Sequence, residues 1–401
     1  MLLKHPLPKR QSQFYLPVII FIVVLTVYYF TNAQTANLFR HFVFIADAFL
    51  HGRFDILNPS FDLGDRVIVD NKIYFQFGPV PALILLPLVY VWKTNVSQTY
   101  VSMVFGAFNA VLVFILLGRL KISGLIRKLL LTVFFALGTV HFSAAVTGTT
   151  WFFAHIIAVF FLLLGLIENF GRKRPFLMGL YFSLAVFSRQ PTFLSFPFIL
   201  LFFKKDVSYR PFFRKLLLFI LGALPLFLFS AYYNFARFGN IFDDGRNFIY
   251  RQYIRSTAQF TYARITNPGF TTGMIDFRNI PLNLYTFLFM PPEISARFPY
   301  VAPSPYGLSV IITSPFFIYA FLAKRNFLIK VSWLAVLLVA IVDFLWFGQG
   351  WVQFGYRYVL DFIPFLMIPL AFGFKDISKF SISLLFWSVI INTWGAYYLR
   401  F

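Results

Sequence analysis

The chain has 401 residues, of which 59% are hydrophobic and only 12% charged, with a formal net charge of +21. So many apolar side chains cannot be buried by a water-facing fold, which excludes an ordinary soluble domain and makes lipid the main solvent. The absence of Cys excludes disulfides, thiolate metal sites and Cys nucleophiles, and the basic residues fall in short clusters between apolar runs, which argues against nucleic acid as the partner.

Lys4, Lys9 and Arg10 precede an apolar run from about Phe14 to Phe30, so the positive-inside rule sets this end in the cytoplasm. A cleaved signal peptide is the rival reading of that run. Residues 37–52, NLFRHFVFIADAFLHG, predict an amphipathic helix lying in the membrane interface. Asn37, Arg40, Asp47 and His51 share one stripe of it, while Phe39, Phe42, Val43, Ala46, Phe49 and Leu50 cover the face toward lipid. Asp55, Asp62, Asp65 and Asp70 follow, suited to binding a cation, accepting protons or simply forming turns and caps.

The run from Pro79 to Trp92 is short and holds Pro79, Pro81 and Pro87, so it is expected to be re-entrant rather than spanning. Spans are then predicted at about 98–118, 129–147, 151–168, 176–188, 191–203, 216–233, 306–323, 331–347, 358–374 and 380–398. With the first run they make about eleven transmembrane helices, an all-α polytopic membrane protein with an interfacial helix in its first outer loop. Under that parity most basic clusters face the cytoplasm, and the long polar segments 34–97 and 234–305 form two outer loops where chemistry is expected.

Several stretches recur in a telling order: ADAFLHGRFD at 46–55, YFQFGPVPAL at 74–83, GRLK at 118–121, GTVHFSAAVTGTTWFFAH at 138–155 and SRQPTFLSFP at 188–197. YYNFARFGNIFDDG at 232–245, GLSVIITSP at 307–315 and FGYRYVLDFIP at 354–364 follow. Together they resemble bacterial membrane glycosyltransferases of the GT-C class, relatives of protein O-mannosyltransferases and lipid A aminoarabinose transferases. The resemblance covers nearly the whole chain and implies a single GT-C-like transmembrane domain over 1–401. It implies an inverting enzyme of the cell membrane that moves a sugar from a polyprenyl-phosphate carrier to an extracytoplasmic glycan, lipid or protein acceptor. The active site is then expected between the first outer loop and the membrane surface, with membrane lipids as the other partners, no nucleic acid and no assigned cofactor or metal. Such enzymes carry an acidic residue at the start of the first outer helix, where this chain has Asn37 and Leu38.

A transfer of this kind needs a base for the acceptor hydroxyl and cations for the phosphate leaving group. Asp47 is the first candidate base, with a carboxylate merely paired to Arg40 or His51 as its structural alternative, and His41 is the second. Arg40 and His51 share the Asp47 stripe and are assigned to substrate binding. Arg189, Arg237 and Arg357 stand at predicted outer ends of spans, where a guanidinium grips phosphate bidentately or snorkels as an anchor. Gly350, Gly355, Tyr356, Tyr358 and Asp361 surround Arg357. Asp343 is an intramembrane acid near the outer end of its span, suited to function or to pairing with Arg357. His141 and His155 flank the outer turn near Trp151 and are expected to pack structurally, and Asp243 and Asp244 to form a turn. The rival functions are a lipid or sugar transporter or flippase, and a non-catalytic protein of the same class. The lack of a visible repeat and the gathering of polar groups at one face weigh against the transporter.

Overall fold

The computed structural model describes residues 12–32, 39–57, 65–205, 209–255, 273–296, 300–350 and 352–398. Its elements, in chain order, are α1 (Ser12–Thr31), α2 (His41–Leu50), β1 (Arg66–Val69), β2 (Lys72–Phe75), α3 (Val80–Trp92), α4 (Gln98–Arg119), α5 (Leu125–Leu137), α6 (His141–Thr147), α7 (Thr150–Asn169), α8 (Pro175–Val186), α9 (Phe196–Lys205), α10 (Tyr209–Phe238) and α11 (Arg246–Arg255). After them come α12 (Ile280–Leu288), β3 (Glu293–Ile294), β4 (Val301–Ala302), α13 (Phe327–Leu345), α14 (Ile363–Gly373) and α15 (Lys379–Tyr398). The expectation of about eleven spans does not hold. Among the described residues five helices, α4, α7, α10, α13 and α15, are long and apolar enough to cross a membrane, or six if the bent pair α5–α6 counts as one.

The physical reason is that hydropathy counts apolar side chains without seeing where the backbone ladder breaks. The run 129–147 bends by 51° between α5 and α6. The run 176–188 makes only the 12 residues of α8, and 191–203 opens with a 3₁₀ segment, Gln190–Ser195, before the 10 residues of α9. The run 306–323 becomes a single helical turn and a 3₁₀ segment, Pro315–Leu322, and 358–374 begins as a 3₁₀ segment, Arg357–Asp361, before the 11 residues of α14. Pro191, Pro197, Pro315 and Pro364 each sit in the first turn of such a piece, where a missing N–H does no harm, whereas inside a longer helix each would break the hydrogen-bond ladder.

The first outer helix also differs from its prediction. It starts at His41 rather than at 37, and Asn37 lies outside the described residues. Its apolar face meets protein instead of lipid: Phe42 packs on Phe77 and Phe153, and Val43 and Ala46 are fully buried. The 13-residue α3 follows, short for a span. Two small antiparallel sheets, β1–β2 and β3–β4, depart from the all-α expectation. The first turns through Asp70 and Asn71, both at positive φ (50° and 59°), as a two-residue hairpin with right-handed strand twist requires.

Helices α4 and α7 start at one end of the bundle and α10, α13 and α15 at the other, and basic residues gather at the turns of that second end. Arg119, Lys121, Arg127 and Lys128 stand around the α4–α5 turn, Arg172, Lys173 and Arg174 at the α7–α8 turn, Lys324 and Arg325 before α13, and Lys375 and Lys379 before α15. Arg127 donates to the Ala371 carbonyl at the end of α14, which ties two of these clusters together. The starts of α7 and α14 and the ends of α8, α10 and α13 lie at the other end of the bundle.

Packing between helices is set by small residues, as lipid-facing bundles demand. A Cβ on Gly179 of α8 would collide with the Phe219 carbonyl of α10, and one on Gly222 of α10 with the Phe176 carbonyl of α8. Without a Cβ at either position the two parallel backbones touch. At the α6–α7 turn, Gly148 adopts a left-handed φ of 58°, and its carbonyl accepts from Gln98 Nε2 at 2.8 Å, which latches the start of α7 to the start of α4. Gly179→Val should therefore cost about 1–3 kcal/mol of stability, read as a lowered melting temperature in detergent, whereas Gly118→Ala, facing open space, should leave it nearly unchanged.

Candidate functional site

At the end of the bundle away from the basic clusters, four elements bring charged groups together inside the protein. Asp361, the last residue of the 3₁₀ segment before α14, is fully buried. Arg189, just beyond α8, donates to it bidentately, Nε to Oδ1 and Oδ2 at 3.1 Å each and Nη2 to Oδ2 at 2.7 Å. His155, in the second turn of α7, meets Asp361 Oδ1 through Nδ1 at 2.8 Å. Asp343, from the last turn of α13, stands 3.9 Å from the same Arg189 Nη2.

The electrostatics of the cluster follow from this geometry. Burial acts to raise the pKa of the Asp361 carboxyl, but Arg189 and then His155 outweigh it and hold the group below the usual carboxylate range. Burial likewise works against the Arg189 cation, and Asp361 and Asp343 more than offset it. Because Asp361 is an acceptor, the His155 proton sits on Nδ1. Nε2, on the opposite edge of the ring, is buried and makes no hydrogen bond to a described residue; the same holds for Asp343 Oδ2.

Tyr358 and Arg357 complete the cluster. The Tyr358 ring lies 6.0 Å from the His155 ring, and the Arg189 and Arg357 guanidinium carbons lie 5.5 Å and 5.4 Å from its centre. Arg357 is buried, also faces the Phe152 ring at 5.5 Å, and takes its backbone orientation from Gln353 Oε1 at 3.4 Å.

Segments between the helices close over this end. Trp151, one turn before His155 on α7, donates to Asp65 Oδ2 at 2.8 Å. Gln190, next to Arg189, donates to Asp244 Oδ2 at 2.8 Å, and Arg246 holds the same oxygen at 3.2 Å. Asp243 and Asp244 accept from the backbone two residues on, so they do form the expected turn.

Of the residues singled out in the sequence, the structure thus gathers Arg189, Asp343, Arg357 and Tyr358. Asp343, for which function or pairing with Arg357 was left open, is found beside Arg189. Arg237 is elsewhere: it donates to the carbonyls of Phe75 and Tyr233 and to Asn234 Oδ1, and lies 3.5 Å from the centre of the Tyr233 ring. Those bonds make it a clasp between α10 and β2. Arg40 donates to the Thr94 carbonyl at 2.7 Å. Asp47 and His51 stand 3.8 Å apart on a partly exposed turn of α2.

His41 is fully buried, edge-on to Phe75, Phe77 and Trp151. The Thr150 hydroxyl donates to the Phe39 carbonyl and therefore accepts from the His41 backbone N–H at 3.0 Å and from its Nδ1 at 2.8 Å. His141 packs structurally, as expected. Tyr28 donates to the Ala136 carbonyl, so His141 Nδ1 donates to the Tyr28 oxygen at 3.2 Å, and Nε2 accepts from Asn109 at 3.1 Å.

Sequence reading gave His155 and Asp361 only supporting parts. The signal for Asp361 was present, an acid in the apolar stretch VLDFIP, as isolated as Asp343 in IVDFL. Among the described residues no group of three or more His, Asp or Glu is placed to hold a metal ion. Comparisons with protein-family models, with curated proteins and with solved structures each find no match for this chain.

Arg189→Ala should destabilise the protein by about 3–5 kcal/mol, because it strands the buried Asp361 carboxylate. Adding Asp361→Leu to it should recover part of that loss. Equilibrium unfolding in mild detergent of both single variants and the double variant measures the coupling, and simple additivity would separate the two residues.

Proposed function

We propose that this membrane protein is a glycosyltransferase that takes a sugar from a polyprenyl-phosphate carrier and passes it to an extracytoplasmic acceptor. The observation that carries the reading is the pair of arginines, Arg189 and Arg357, gathered around one Tyr358 ring beside a buried His–Asp pair. A phosphate leaving group needs cations fixed in advance where water is scarce, and guanidinium supplies them with directed donors. The basic clusters at the opposite end support a cytoplasmic location for that end and for the N-terminus, and hence an outward-facing site. The location of the charges also weighs for a transferase over a carrier protein. His155 is in the second turn of α7 and Asp343 in the last turn of α13, near one end rather than halfway along.

Purified protein in lipid nanodiscs, supplied with labelled polyprenyl-phosphate hexoses and a membrane extract as acceptor source, should remove sugar from the carrier. Vesicle uptake without consumption would replace the transferase with a transporter. Arg357→Ala should weaken carrier binding by about 1.5–3 kcal/mol and Arg357→Lys by less, since the lysine keeps charge but loses the fork. Carrier affinity unchanged in Arg357→Ala, with a lowered melting temperature, would assign the residue to packing alone.

The same reading fixes a topology. α15 runs from Lys379, at the basic end, to Trp394, which packs edge-on to Phe354 near the site. A reporter enzyme that works only outside the cytoplasm should be active when fused after Tyr398 and silent when inserted between Lys324 and Asn326.

A further inference from the structure

We infer that His155 is the base that takes the proton from the acceptor hydroxyl, with Asp361 and Arg189 as its positioning residues. The inference rests on the transferase reading and supplies the group that the sequence left open between Asp47 and His41. Both of those are engaged elsewhere, Asp47 with His51 at the surface and His41 in the Thr150 bond inside an aromatic box.

The argument turns on a contrast between two buried histidines on neighbouring helices. His141 and His155 both carry their proton on Nδ1, and both are fully buried. In His141 the other nitrogen receives Asn109, so both edges are used and the residue only packs. In His155 the other nitrogen keeps its lone pair and no described donor reaches it. A buried acceptor without a donor is unfavourable, and such groups collect where a ligand supplies what the fold withholds. The bidentate grip of Arg189 keeps Asp361 an acceptor, and Asp361 in turn fixes the tautomer that leaves Nε2 basic.

The surroundings match the reaction. The charged groups facing the imidazole are Asp361 and Arg357 from the 3₁₀ segment and Arg189 from the end of α8, with Asp343 of α13 behind Arg189. Arg189 is the partly open member, 18% exposed, and marks the way in. In the step, the acceptor oxygen bonds to the anomeric carbon as the bond from that carbon to the phosphate oxygen breaks. The electron pair leaves with the carrier phosphate beside Arg357 and Arg189, and the hydroxyl proton goes to His155 Nε2. The imidazolium so formed faces the Asp361 carboxylate, which stabilises it as the charge appears.

The test uses the full chain in nanodiscs with labelled polyprenyl-phosphate hexoses and a membrane extract. His155→Ala should lower turnover by about 100- to 10,000-fold while sugar-free polyprenyl phosphate still binds, and added imidazole should restore part of the rate. His155→Asn keeps a donor toward Asp361 without a base, so it should fold and be inactive, which covers the case in which the alanine variant fails to fold. Turnover of His155→Asn within about threefold of wild type would overturn the assignment. So would an alanine variant that imidazole does not rescue and whose carrier binding is lost. If the unaltered protein consumes no donor, the transferase reading falls and takes this one with it. If it does consume donor and His155→Asn remains active, only the base is wrong.

Discussion

A carboxylate among apolar helices persists only if the protein supplies the donors that water would otherwise give. Asp361 meets that condition with three elements at once: its own 3₁₀ segment, the arginine beyond α8 and the histidine of α7. The helix ends cannot shift independently, because moving the end of α8 strips Asp361 of its Arg189 bonds and moving α7 strips it of the His155 bond. The constraint also explains why residues 357–361 are not the first turn of a longer helix. A 3₁₀ turn places Arg357, Tyr358 and Asp361 inside the bundle together, and all three are buried.

Around that centre the segments between the helices are joined to helix ends by individual polar bonds as well as by apolar packing. Trp151 takes Asp65, Gln190 takes Asp244, Arg237 takes the Phe75 carbonyl and Thr150 takes the Phe39 carbonyl. Each is strong where water is excluded and fixes the position of the segment that carries it. The helices below behave differently. Gly179 and Gly222 let α8 and α10 meet backbone to backbone, so that pair moves as one body.

How much of this could be read from the sequence depends on the range of the interaction concerned. Composition and charge clusters report on solvent, and they identified a membrane-associated helical protein. Arg189, Asp343, Arg357 and Tyr358 were visible because a polar group in an apolar run is conspicuous by itself. The span count was not legible, since the breaks at Pro191, Pro315 and Pro364 leave the side chains as apolar as before. Nor was the partnership of His155 and Asp361, which are 206 residues apart. Local sequence says that each is unusual, and only the fold says that they meet. The β1–β2 hairpin is a different miss: alternation in RVIV and KIYF around Asp70-Asn71 was a local signal, overlooked beside the stronger hydropathy.

α10 is 30 residues long, about 45 Å at helical rise, against a hydrocarbon layer of about 30 Å. It must tilt, or lift its final turns clear of the acyl chains. Arg237, in the last of those turns, holds β2 by the Phe75 carbonyl, so the hairpin travels with the helix end. The height of the roof over Asp361 is therefore coupled to the thickness of the surrounding bilayer, and lipids with shorter or longer tails would lower or raise it.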